Sequence, residues 1–168
     1  RHDGHPPLYY LLLMGWSSVF GEGGVSLRAL SGVLSVAAIG LTWTVARCHV
    51  DRRGAALAVA VIASSPFAIR YATEVRMYSL VLALLLVGHV AVVAAWRRSD
   101  VRRLAGVAGV TAGLMFSHYW SVFLVVVMVT GLLVVVVRGE SEARPRAVRL
   151  LVAIALGSLS FIVWLPVL

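Results

Sequence analysis

The stretch LAGVAGVTAGLMFSHYWSVFLVVVMVTGLLVVVV, residues 104–137, carries no formal charge, and its reading sets the course of the whole chain. A helix needs ~20 apolar residues to cross the hydrocarbon core of a bilayer, and this run is too long for one ordinary crossing. Its one polar break is Ser117-His118-Tyr119-Trp120-Ser121, so the pattern predicts a hairpin of two spans, 104–117 and 121–137. The flanking arginines agree. A single helix would put Arg103 and Arg138 on opposite sides of the membrane, whereas a hairpin returns both to one side.

The rest of the chain has the same character. Of 168 residues, 61% are hydrophobic and 13% charged, with a mean hydropathy of +0.95. The apolar residues come in long runs rather than in period-2 or amphipathic stripes, which excludes a soluble domain. Further spans are expected at 28–46, 54–69, 79–96 and 148–168. Residues 8–20 are too few to cross, and with Tyr9, Tyr10 and Trp16 they suit a helix lying in the interface. The expected fold is all-α: a polytopic membrane helical bundle of one interfacial helix and about six transmembrane helices, forming a single transmembrane domain over 1–168.

All fifteen basic residues are arginine, and the net charge is +8. In a soluble protein that balance would suggest nucleic acid. Here the arginines flank the spans, and no nucleic-acid partner is expected. Arg47, Arg52, Arg53, Arg97, Arg98, Arg102, Arg103, Arg138, Arg144, Arg146 and Arg149 fall in three loops on one face, which the positive-inside rule makes cytoplasmic. The other face then gathers Asp3, His5, Arg70, Glu74, Arg76 and His118. Cys48 is the single cysteine, so no internal disulfide forms, and it falls on the cytoplasmic side. The chain opens on Arg1 rather than methionine and is read as an internal fragment of a longer protein.

Between two apolar runs lies Ser65-Pro66-Phe67-Ala68-Ile69-Arg70-Tyr71-Ala72-Thr73-Glu74-Val75-Arg76-Met77-Tyr78-Ser79. Charged groups at the edge of a hydrocarbon slab are costly unless paired or wetted, so this cluster marks a functional site; a solvated loop with one Arg-Glu pair is the bland alternative. Were the segment helical, Arg70, Glu74 and Tyr78, four apart, and Tyr71, three before Glu74, would share a face. A carboxylate beside phosphate-binding guanidiniums can position or deprotonate a hydroxyl while an arginine stabilises a phosphate leaving group. Two intramembrane features are read as structural. Ala105, Gly109 and Gly113 recur at a spacing that allows close helix packing, and His89 is read as bonded to a neighbouring helix rather than as a proton relay.

The segments Asp3-Gly4-His5-Pro6-Pro7-Leu8-Tyr9-Tyr10, Phe20-Gly21-Glu22 and Leu27-Arg28-Ala29-Leu30-Ser31-Gly32, with Ser65-Pro66-Phe67 running into Tyr71 to Leu80, resemble the polytopic GT-C glycosyltransferases of the mannosyltransferase and aminoarabinose-transferase superfamily. The likeness covers most of residues 3–80 and is weaker beyond residue 100, where the His118-Tyr119 tip matches. It implies transfer of a sugar from a polyprenyl-phosphate donor in the membrane lipid to an acceptor on the outer side of the cytoplasmic membrane, with inversion. It makes Glu74 the second acidic residue of the site and Arg76 and Arg70 donor-phosphate ligands, with Tyr71 and Tyr78 lining the pocket. His5 stands where the related transferases place a polar residue close to the lipid phosphate, with Asp3 in the same motif. In some relatives a divalent metal is held, which makes His118 a candidate ligand with Asp3 or His5. The principal catalytic carboxylate of the family lies upstream of His-Pro-Pro and so before residue 1, so the fragment alone is expected to be inactive.

Two rival readings come from other classes. A multi-pass transporter or lipid flippase places broken helices and ionisable groups near the bilayer midplane, where this sequence has only His89. A purely structural membrane subunit leaves the polar cluster without a purpose.

Overall fold

The computed structural model describes residues 6–167, and Asp3 and His5 lie outside that range. Among the described residues the secondary structure is entirely helical: α1 Leu8–Phe20, α2 Gly24–Ala46, α3 Arg52–Ser64, α4 Pro66–Thr73, α5 Tyr78–Arg97, α6 Val101–Met115, α7 Ser121–Arg138, α8 Ala143–Leu159, then a 3-10 helix over Ser160–Val167. Each of the six expected segments is helical. Gly24–Ala46, Tyr78–Arg97, Ser121–Arg138 and Ala143–Trp164 are long and apolar enough to cross a membrane, and the bent pair α3–α4 makes five if it counts as one span. The segment expected at 104–117 is α6, which at 15 residues is shorter than a full crossing.

Local chemistry sets the helix ends. Gly21 closes α1 at φ 82°, a left-handed conformation open to glycine, and its N–H donates to the Ser17 carbonyl at 2.8 Å. The side chain of Asp51 caps α3 by accepting from the Gly54 N–H at 2.8 Å, and Asp100 caps α6 through the Arg103 N–H at 3.0 Å. Within the segment expected as a span over 54–69 the chain bends by 56° between α3 and α4. Pro66 is the cause. It has no N–H for the preceding turn and forces Ser65 into an extended conformation (φ -66°, ψ 122°), from which Ser65 caps the new helix through the Ala68 N–H.

The helices are apolar on their outer faces: Val33, Val36, Leu57, Val61, Val127, Leu133 and Val152 are all exposed. On a soluble protein so much apolar surface would be an aggregation liability; here it is the surface that meets lipid. Isolated hydroxyls within these helices bond to carbonyls of their own preceding turn, as Thr42 does to Ala38, Thr111 to Val107 and Thr130 to Val126.

The chain divides into two compact units, Pro7–Val87 and the segment from Gly88 onward. In the first, α2 packs against α1, α3 and α4. Its core is Tyr9, Leu30, Met77 and Leu80, flanked by Leu13, Trp16 and Leu34, and the Trp16 indole N–H staples α1 to the Ser26 carbonyl at 2.9 Å. In the second, α8 packs against both α6 and α7 around Val107, Leu132, Ala147, Leu150, Ala153 and Ile154. The small residue that lets α6 and α8 approach is Gly157: a Cβ there would run into the Ala108 carbonyl oxygen and lie 2.8 Å from Thr111 Cβ. Of the small residues noted on α6, Gly109 does not make this contact, since it faces open space.

Candidate functional site

The polar cluster is built on a second break in the helices of the Pro7–Val87 unit. Helix α4 stops at Thr73, Glu74 is extended (φ -90°, ψ 141°), and α5 begins only at Tyr78. The continuous helical face anticipated for Arg70, Glu74 and Tyr78 is therefore interrupted, although the residues still meet. Arg70 Nε donates to Glu74 Oε1 at 2.8 Å across the helix end. The Tyr71 and Tyr78 rings lie 4.3 Å apart, tilted by 40°.

A helix break frees backbone groups, and each freed carbonyl must find a donor. Hydroxyls supply them here. Thr73 Oγ1 donates to the Arg70 carbonyl at 2.8 Å, and Ser79 Oγ to the Tyr71 carbonyl at 2.9 Å. The Arg76 N–H turns back to the Glu74 carbonyl at 2.9 Å, and the Arg76 carbonyl accepts from Ser31 Oγ at 3.5 Å. Two of these hydroxyls receive bonds in turn. Ser35 Oγ donates to Ser79 Oγ at 2.9 Å, and Tyr9 Oη lies 2.9 Å from Ser31 Oγ. Since Ser31 spends its proton on Arg76, the Tyr9 phenol is the donor in that pair. Tyr9, Ser31 and Ser79 are almost completely buried. Burial pushes the Tyr9 phenol above its ordinary range, against a smaller lowering by Ser31, so it stays a neutral donor.

Around the break opens a cavity of about 760 Å³ lined by Arg28, Arg70, Tyr71, Thr73, Glu74, Val75, Arg76 and Tyr78. Three arginines and one glutamate thus line it. Arg70 is tied to Glu74, whereas Arg28 and Arg76 have no carboxylate partner among the described residues. A second cavity of about 260 Å³, mostly apolar and lined by Ile39, Ile62, Ala68 and Leu82 among others, shares Tyr71 and Tyr78 with the first. A charged cavity next to an apolar one suits an amphiphilic, anionic ligand.

Five residues picked out from the sequence, Arg70, Tyr71, Glu74, Arg76 and Tyr78, therefore line one cavity. Asp3 and His5 lie outside the described residues. His118 belongs to the other unit, in the turn between α6 and α7, where its Nδ1 accepts the Trp120 N–H at 3.1 Å. Among the described residues no three His, Cys, Asp or Glu side chains come together as a metal centre. Sequence reasoning gave no role to Arg28, Ser31, Ser35, Thr73 or Ser79. The first three carried a readable signal: they recur three and four apart on α2, a polar stripe on a mostly apolar helix.

The fold and cavity define a polytopic helical membrane protein with a charged, ligand-sized site. Its sequence matches the model of the dolichyl-phosphate-mannose-protein mannosyltransferase family over residues 4–165, and the chain belongs to that family, one of membrane glycosyltransferases of the GT-C type. Neither a curated protein nor a solved structure matches it.

Proposed function

We propose that this chain carries the donor-phosphate side of a glycosyltransferase site that moves a sugar from a polyprenyl-phosphate donor to an acceptor hydroxyl on the outer face of the cytoplasmic membrane. The observation that carries the reading is the cavity that Arg28, Arg70 and Arg76 line with Glu74 beside an apolar slot. The guanidiniums match a phosphate bidentately, and the apolar slot suits the hydrocarbon that follows it.

In the reaction the acceptor oxygen bonds to the anomeric carbon as the bond from that carbon to the phosphate oxygen breaks on the opposite face, which inverts the centre. The electron pair leaves with the phosphate, whose growing negative charge Arg76 and Arg28 neutralise. Arg70 is already committed to Glu74, and its part is to orient that carboxylate. Glu74 acts as the second acidic group: its carboxylate orients the acceptor hydroxyl and takes up the proton that leaves as the new bond forms. The clustering of eleven arginines in the loops, cytoplasmic by the positive-inside rule, supports a site outside the cytoplasm.

The test uses the full-length protein in membranes supplied with polyprenyl-phosphate sugars. Glu74→Gln and Arg76→Ala are expected to insert normally and to lose transfer by a hundredfold or more, on the order of what one transition-state donor contributes. Wild-type turnover in both variants would overturn the reading.

A further inference from the structure

The two hydroxyl chains beneath the cavity begin on different helices and end on different carbonyls of the helix break. One runs from the Tyr9 phenol to Ser31 and on to the Arg76 carbonyl; the other runs from Ser35 to Ser79 and on to the Tyr71 carbonyl. Each therefore grips the backbone of a different part of the site. The first holds Arg76, whose guanidinium has no carboxylate partner among the described residues. The second holds the last turn of α4, from which Arg70 reaches Glu74.

Self-satisfied serines look different. Ser64, Ser99 and Ser117 each return their proton to a carbonyl of their own preceding turn, as expected of a hydroxyl that only avoids going unpaired in an apolar helix. Ser31 and Ser79 forgo that bond. They reach instead across to the freed carbonyls, while fully buried, at the one place where the α4 and α5 helices let go of their own backbone.

Building on the function proposed above, we infer that Ser31 and Ser79 are positioning residues, with Ser31 fixing Arg76 against the donor phosphate and Ser79 fixing the Arg70–Glu74 pair against the acceptor. Neither touches substrate. Each acts through the backbone of the residue it holds, so the two have separable kinetic signatures. Losing the Ser31 bond lets Arg76 drift and weakens donor binding. Losing the Ser79 bond lets the carboxylate drift, and small misplacements of a reacting group slow turnover steeply.

The experiment measures transfer in the full-length protein in membranes, with rates normalised to folded, inserted protein, for Ser31→Ala, Ser79→Ala, Ser31→Thr, Ser79→Thr and Glu74→Gln. Ser31→Ala is expected to raise the donor KM about tenfold with kcat near wild type. Ser79→Ala is expected to lower kcat by roughly ten- to a hundredfold at unchanged donor KM. The threonine variants keep the hydroxyl and are expected to recover both parameters. Wild-type kinetics in both alanine variants alongside an inactive Glu74→Gln would overturn the inference and leave the site reading standing. A uniform loss in the two alanine variants, tracking lost thermal stability with KM unmoved, would reduce these serines to structural bonds and overturn it equally. Full activity in Glu74→Gln would bring down the site reading, and the positioning roles with it.

Discussion

Arg28 and Arg76 reach the same cavity from different parts of the chain, one from the first turns of α2 and the other from the link between α4 and α5. Arg70 lines it as well but spends its Nε on Glu74. The division of labour among three chemically identical groups thus comes from their partners. If Arg28 shares the phosphate, Arg28→Ala should raise the donor KM about tenfold or more, since a hydrogen bond to a charged group contributes ~1.5–3 kcal/mol. Arg28→Lys should recover only part, because an ammonium cannot reproduce the two-pronged contact. A donor titration of the membrane-inserted variants decides it, and an unchanged KM in Arg28→Ala would remove this residue from the site. Glu74, Arg70 and Arg76 were legible in the sequence because charge stands out against Val and Leu. The roles of Ser31, Ser35 and Ser79 were not: the spacing of the first two with Arg28 on α2 marks a polar stripe, but what a serine does depends on which carbonyl its proton meets.

At the level of helices, the two units solve different problems. Lipid tails are as apolar as the side chains, so helices in a membrane gain little from hiding leucine, and close backbone approach matters more. Gly157 provides it between α8 and α6. Adding one methyl there strikes the Ala108 carbonyl, a backbone atom that cannot rotate away. Gly157→Ala should therefore destabilise the protein by about 1–3 kcal/mol, the usual cost of overpacking, whereas Gly109→Ala should be nearly silent because its Cβ would meet open space. Thermal unfolding in detergent separates the two, and equal melting temperatures would contradict the packing described here. Of the small residues spaced along α6, Gly109 lies off this contact. A stripe shows that a helix can be approached, not from which side, and the glycine that matters sits on the partner helix.

Over the whole chain, class was the most legible property. Long uncharged runs, arginines confined between them and a central polar stretch are enough to announce a helical membrane protein, and the hairpin over 104–137 follows from counting arginines. What composition could not show is where helices bend, because one proline or one short polar link decides that locally. The orientation remains open to a direct check with the chain's own chemistry. Cys48 is exposed and is the single cysteine. A membrane-impermeant maleimide is expected to label it only after intact cells are permeabilised; labelling from outside would invert the proposed topology and move the cavity to the cytoplasmic face.

The gap between α4 and α5 also uncouples two angular registers. In an unbroken rod, inserting one residue turns everything downstream by about 100° and swings its lipid-facing stripe toward its neighbours. Because residues 74–77 follow no helical repeat, the azimuth of α5 is set by its own contacts with the Tyr9–Leu30 core rather than inherited from α4. Either rod can drift in sequence without rotating the other, while the four linking residues that carry the glutamate and the arginine stay pinned between them.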